Sequence, residues 1–257
     1  MLRFLFHVLL SGLFIAAVYG EGSAVSKRSF RAELDLAKRN AAISPYIYGQ
    51  FIEHLGSCIY GGLWAEMLED RKFFYPVTGR APVWTLFQPG SSSWEGEGHP
   101  YELLTRSPWL VIGDLRNVEM DSIDPYVGEH SPRISAQSTE RAGLYQERLH
   151  LQAGREYTGR IVFRTGAARN PVSVTLVWGH GFGDRLAISL QNPDMEYHTR
   201  HFRFTSGRTT DNGRLEITTS EGDLWIGAVS LMPADNLYGW RSDTVALLKQ
   251  LNSPVYR

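Results

Sequence analysis

Between Pro108 and Met232 the chain breaks into eight short runs, and no other feature of the sequence constrains the fold as strongly. They are WLVIGD, YQERLHLQ, TGRIVFRT, VSVTLVWG, RLAISLQ, TRHFRFTS, RLEITTS and LWIGAVSL, separated by Gly, Asn, Pro or Asp. A period of two puts one face of each run in a core and the other in water. With turn residues at this spacing, the pattern predicts an all-β sandwich.

The flanks follow other periods. SFRAELDL from Ser29 and YIYGQFIE from Tyr46 read as strands, the second more buried. GGLWAEMLEDRKFF then places Leu63, Met67 and Leu68 at helical spacing, with Asp70, Arg71 and Lys72 on the wet side. Residues 76–97 hold Pro76, Pro82, Pro89 and a Gly/Ser-rich stretch, and read as a linker. After the sandwich, RSDTVALLKQL puts Val245, Leu248 and Leu251 on one helical face, with Ser242 or Asp243 as the expected cap, and NSPVYR reads as a buried strand.

Composition narrows the functions. The chain has 257 residues, 43% of them hydrophobic, which suffices for a substantial core. A net charge of -1 with no block of either sign points away from nucleic acid and anionic membranes as partners. Residues 1–20 carry Arg3, an apolar stretch to about Val18, and small residues before Glu21. They read as a signal peptide, too short to span a bilayer, so a secreted chain is expected. Cys58 is the only cysteine, which excludes an internal disulfide; its expected role is that of a small buried packing residue.

Several separated blocks then fall into a familiar order. ISPYIYGQFIEHLGSCIYGGLWAEMLEDRKFF, RSPWLVIG, MDSIDPYVGEHSPRI, AGREYTGRI and VSLMPADNLYGWRSDTVALLKQLNSPVYR together resemble the N-terminal half of glycoside hydrolase family 51 α-L-arabinofuranosidases. The resemblance implies a mixed fold, in which the start of a (β/α)8 barrel, incomplete here, is interrupted by an inserted jelly-roll-like sandwich. The implied segments are a strand with the first barrel strand and helix at 29–75, the linker at 76–97, the carbohydrate-binding-like sandwich at 98–233, and a resumed barrel at 234–257.

By the same resemblance, Glu53 lies in the sugar subsite, flanked by Phe51, His54, Tyr60 and Trp64, and hydrogen-bonds the terminal arabinofuranose as a substrate ligand. An ionised carboxylate accepting from vicinal hydroxyls suits that role. In the family a retaining mechanism uses two glutamates, one in an Asn-Glu pair; no Asn-Glu dipeptide occurs in this sequence. No catalytic residue is therefore assigned, and the chain alone is expected to be inactive, with both glutamates beyond its end. The expected partners are arabinose-containing polysaccharides or oligosaccharides such as arabinoxylan and arabinan. No cofactor is implied. The alternatives are a non-catalytic carbohydrate-binding protein and a partial chain with no function of its own.

Weaker constellations remain. Glu66 and Glu69 read as a solvated helix face, and Glu95 and Glu97 as solvated loop residues. His198 and His201 fall on opposite faces of a strand, a poor start for a metal site. Trp178, Tyr197, Phe202, Phe204 and Trp225 could stack on sugars, but alternating spacing favours core packing for most of them.

Overall fold

A computed structural model describes residues 31–33, 35, 37–38, 41–52, 58–80, 84–85, 103–104, 106–136, 141–167 and 169–257. Glu53, the expected signal peptide, Glu95 and Glu97 lie outside the described residues. The chain divides into Met1–Ser44 and Pro45–Arg257. In the first unit, where a strand from Ser29 was expected, the described residues form no strand. Asp35 instead closes a turn, its carboxylate accepting from the Ala37 N–H at 3.0 Å.

The second unit is dominated by β-structure. A short antiparallel pair, β1 (Trp84–Thr85) and β2 (Leu103–Leu104), precedes ten strands in two sheets. These strands are β3 (Leu110–Ile112), β4 (Val118–Asp121), β5 (Ser131–Ala136), β6 (Ala142–Leu151), β7 (Glu156–Thr165), β8 (Val172–Val177), β9 (Arg185–Leu190), β10 (His198–Thr205), β11 (Thr210–Thr219) and β12 (Gly222–Pro233). One sheet has the order β10-β7-β12-β5-β4, the other β3-β6-β11-β8-β9, and every pairing between these strands is antiparallel.

Each of the eight alternating runs overlaps one of these strands. β4 and β5 had no such signal: β4 is four residues long, and β5 carries Pro132, a residue that argues against an interior strand. Alternation delivers the core as expected, with Ile161, Phe163, Leu224, Ile226 and Leu231 of one sheet fully buried with Leu144, Val174, Leu176, Leu215 and Ile217 of the other.

The expected mixed α/β architecture is corrected by this topology, because no start of a (β/α)8 barrel is present among the described residues. The supposed first barrel strand opens as a 3-10 turn, Pro45–Tyr48. Beyond it, among the described residues, lies an isolated parallel bridge, Gln50 to Tyr256, with Gln50 N–H to Val255 O at 2.9 Å, Arg257 N–H to Gln50 O at 3.1 Å and Ile52 N–H to Arg257 O at 2.6 Å. The α-helix present, α1 (Ser242–Leu251), lies where the spacing placed it. Its N-cap is Arg241, however: Ser242 donates to Asp235 at 2.7 Å, while Asp243 pairs with Arg241.

The helix expected after Gly62 does not form either. Residues 63–77 run as an irregular strap that buries Leu63, Ala65, Leu68, Phe73 and Val77, a spacing no helical stripe provides. Asp70 and Phe73 adopt left-handed backbone, and the Asp70 carboxylate accepts from the N–H groups of Phe74 at 2.6 Å and Tyr75 at 3.1 Å. The strap bonds to the sandwich through Met67 N–H to Leu231 O and Val229 N–H to Arg71 O, both 2.9 Å. Gln146 of β6 completes the attachment by pairing with both backbone groups of Glu69.

Candidate functional site

The outer face of the β10-β7-β12-β5-β4 sheet is built from the residues that alternation turns away from the core. Pairing aligns them into rows across the strands. One row is Thr199, Val162 and Ala228; the next is His201, Arg160 and Ser230. A third runs Tyr197, Arg164, Trp225 and Arg133.

That third row is a stack of alternating rings and cations. The Arg164 guanidinium lies 4.0 Å from the Trp225 ring centre and 5.3 Å from that of Tyr197, and Arg133 lies 5.5 Å from Trp225 on its other side. Asp121 accepts from the Trp225 indole N–H at 2.6 Å. Arg164 sits 3.7 Å from Asp124, while Arg133 is 3.4 Å from Glu119 and from Asp223. The charges in this row are thus compensated, and Trp225 is 9% exposed. Of the five aromatics singled out in the sequence, Trp178, Phe202 and Phe204 belong to the core, whereas Trp225 and Tyr197 belong to this outer stack.

Beside the stack lies a groove of about 410 Å³, within the size range of small-molecule sites. Its floor is Arg160 and Val162 of β7, Thr199 of β10, and Ala228, Val229 and Ser230 of β12. One wall is Tyr126 and Val127, from the loop joining β4 to β5; the other is Arg71 and Lys72 of the strap. Tyr126 is 46% exposed, and its ring packs on Tyr197 at 5.4 Å between centroids. A register shift between Ile226 and Ala228 brings Gly227 beneath it.

Glu66 fixes the opposite wall. Its side chain is 4% exposed, so it belongs to no solvated helix face. It accepts from the Leu231 N–H at 2.9 Å, the Ser230 hydroxyl at 2.6 Å and Arg71 at 3.4 Å, which joins the strap to the groove floor. Asp70, one residue before Arg71, has its carboxyl pushed up to about 6 by burial, against the lowering influence of its two backbone hydrogen bonds and of His130.

The groove lining presents an aromatic ring, an apolar strip, hydroxyls and cationic donors, and among the described residues no carboxylate or histidine belongs to it. Among the described residues no cluster of His, Cys, Asp and Glu could hold a metal; His198 instead contacts Asp194 at 2.7 Å. Cys58, expected to be buried, is exposed. Sequence reasoning missed the groove residues Tyr126, Val127 and Arg160. The available signal was DPYVG, an aromatic between turn residues, which marks a ring displayed on a loop.

Fold and groove together define a β-sandwich with a ligand-sized cleft on the outer face of one sheet. No family model matches the chain. Over 224 residues it is 24% identical to an extracellular exo-α-L-arabinofuranosidase of Streptomyces chartreusis, covering 86% of this chain and 24% of that protein. It is 25% identical over 225 residues to α-L-arabinofuranosidase 2 of Arabidopsis thaliana, covering 82% of this chain and 31% of that protein. Over 63 residues, 24% of this chain and 12% of the relative, identity to an intracellular exo-α-L-arabinofuranosidase of Bacteroides ovatus reaches 47%. The chain thus spans at most about a third of the length of these relatives. Among solved structures, a carbohydrate-binding module in complex with β-1,4-galactotriose overlaps 65% of this chain and 98% of its own, with 16% identity and a TM-score of 0.41. Among the described residues no helix is long and apolar enough to cross a membrane.

Proposed function

We propose that the chain is the carbohydrate-holding part of a secreted retaining α-L-arabinofuranosidase, which removes terminal non-reducing α-L-arabinofuranosyl residues from arabinoxylan or arabinan. In this reading the sandwich, taken as 98–233, holds the polysaccharide in the groove over β7 and β12, and Glu53 binds the terminal arabinofuranose. The groove itself carries the reading. A displayed tyrosine beside apolar floor residues suits the C–H face of a sugar ring, and arginine, lysine and hydroxyl groups around it suit its oxygens. The relatives named as arabinofuranosidases support the substrate class. A second reading, a carbohydrate-binding protein without catalysis, is favoured by a groove lining that, among the described residues, includes no carboxylate.

Affinity electrophoresis of the whole chain in gels containing arabinoxylan or arabinan tests the first part. Retardation that Tyr126→Ala relieves is expected; a mobility unaffected by either polysaccharide overturns it. For Glu53, isothermal titration with arabinofuranosyl oligosaccharides should show Glu53→Gln losing about 1.5–3 kcal/mol of binding, the worth of a charge-assisted bond. Equal affinities would remove Glu53 from the site.

A further inference from the structure

The groove carries more positive charge than binding a neutral sugar requires. Arg71, Lys72 and Arg160 line it and, among the described residues, no carboxylate belongs to the lining, although the chain as a whole is balanced at a net charge of -1. On the same sheet face Arg133, Arg164 and Arg203 each have an acidic partner within 4 Å. Arg160 has none: among the described residues neither its side chain nor that of Lys72 makes an ion pair or hydrogen bond. Arg71 is partly engaged, by Glu66 at 3.4 Å.

Donor and acceptor counting leads the same way. Guanidinium and ammonium groups donate and cannot accept, so the lining is rich in donors, while its side-chain acceptors are hydroxyls alone. The Ser230 hydroxyl already gives its proton to Glu66. Hydroxyls of a neutral glycan can accept from these donors, but the lining's side chains offer few acceptors for the protons they carry. A ligand bearing a carboxylate reverses that mismatch, because a planar guanidinium meets a carboxylate with two parallel bonds.

We propose, building on the reading of the groove as a glycan site, that it selects an acidic glycan and receives a uronic acid residue. The uronate carboxylate lies against Arg160 and Lys72, and its ring against Tyr126. The apolar strip of Val162 and Ala228 favours a sugar acid over a bare phosphate, which has no C–H face to cover it. Three cations confined to one groove do not form the extended basic track that a nucleic acid needs.

The test uses the whole chain and two probes: a glucuronic acid-substituted xylo-oligosaccharide, and the same oligosaccharide with its carboxyl reduced to the alcohol. Isothermal titration should show the acidic probe binding at least about tenfold more tightly, an advantage that shrinks as salt rises. Arg160→Gln should abolish the preference, Arg160→Lys should restore part of it, and Tyr126→Ala should weaken both probes alike. Arg160 is exposed, and an unchanged melting temperature verifies that its variants fold. Equal binding of the two probes overturns the acidic specificity and leaves the glycan site standing. Binding of neither probe overturns both, and tighter binding of inorganic phosphate than of the acidic probe overturns the assignment to a sugar acid.

Discussion

Tyr126 is seated on Gly227: a Cβ added to the glycine would fall 2.4 Å from the Cβ of Tyr126 and 2.6 Å from the first carbon of its ring. The loop from β4 to β5 thus comes down on a backbone position without a side chain, and the tyrosine stands as the groove wall because of it. Any side chain at residue 227 must lift the ring.

Gly227→Val is therefore expected to weaken glycan binding about as much as Tyr126→Ala, by roughly tenfold, while leaving the two-sheet core intact. Isothermal titration gives the first quantity and far-ultraviolet circular dichroism the second. Full affinity in a folded Gly227→Val protein would show that the wall does not depend on this contact.

Glu66→Ala should be among the more damaging single changes in the strap. It removes a buried carboxylate that accepts from the Leu231 N–H and the Ser230 hydroxyl and sits 3.4 Å from Arg71, leaving those donors with water or nothing. Loss of about 2–4 kcal/mol in urea unfolding is expected. A change below about 0.5 kcal/mol, the level of an ordinary surface substitution, would contradict the anchoring role.

Asp70 should impose a pH dependence on stability. Its carboxyl is raised from 3.8 to about 6 in the fold, so the folded state holds the proton more tightly than the unfolded chain. Its favourable contribution is complete below about pH 3.8 and disappears as pH rises through about 6. The melting temperature of the unaltered protein relative to Asp70→Asn should accordingly fall between pH 4 and pH 7. A constant difference across that range would place the Asp70 pKa at its ordinary value.

The purified chain should release no 4-nitrophenol from 4-nitrophenyl α-L-arabinofuranoside. Retaining hydrolysis needs two carboxyl groups about 5–5.5 Å apart across the sugar, and among the described residues the groove lining holds none, while nearby Glu66 is buried and engaged in hydrogen bonds. Turnover that stays with the chain through purification would refute this.

What the sequence determined by itself was the sandwich. Strand periodicity is a local property, and each of the eight runs carried its own inward and outward faces, so burial of Ile161, Phe163, Leu215 and Ile217 was legible before any pairing was known. The strap was not legible. Leu63, Met67 and Leu68 have helical spacing, yet tertiary contacts outweighed it: Phe73 and Trp109 are fully buried against each other, and Asp70 and Glu66 spend their carboxylates on backbone and side-chain donors that a helix would not offer. The parallel barrel start failed for a related reason, because a run that looks buried needs partners along its length to pair as a strand, and among the described residues 46–52 the pairing recorded is the isolated bridge from Gln50 to Tyr256. The groove was decided by tertiary structure alone. Arg71 and Lys72, Tyr126, Arg160, Thr199 and Ser230 are scattered over 160 residues and converge because sheet order places β7 between β10 and β12 and because Gly227 leaves room for a ring. Which residues face water is fixed by a period of two; which of them face each other is fixed by strand order, and strand order is a long-range choice that no local pattern encodes.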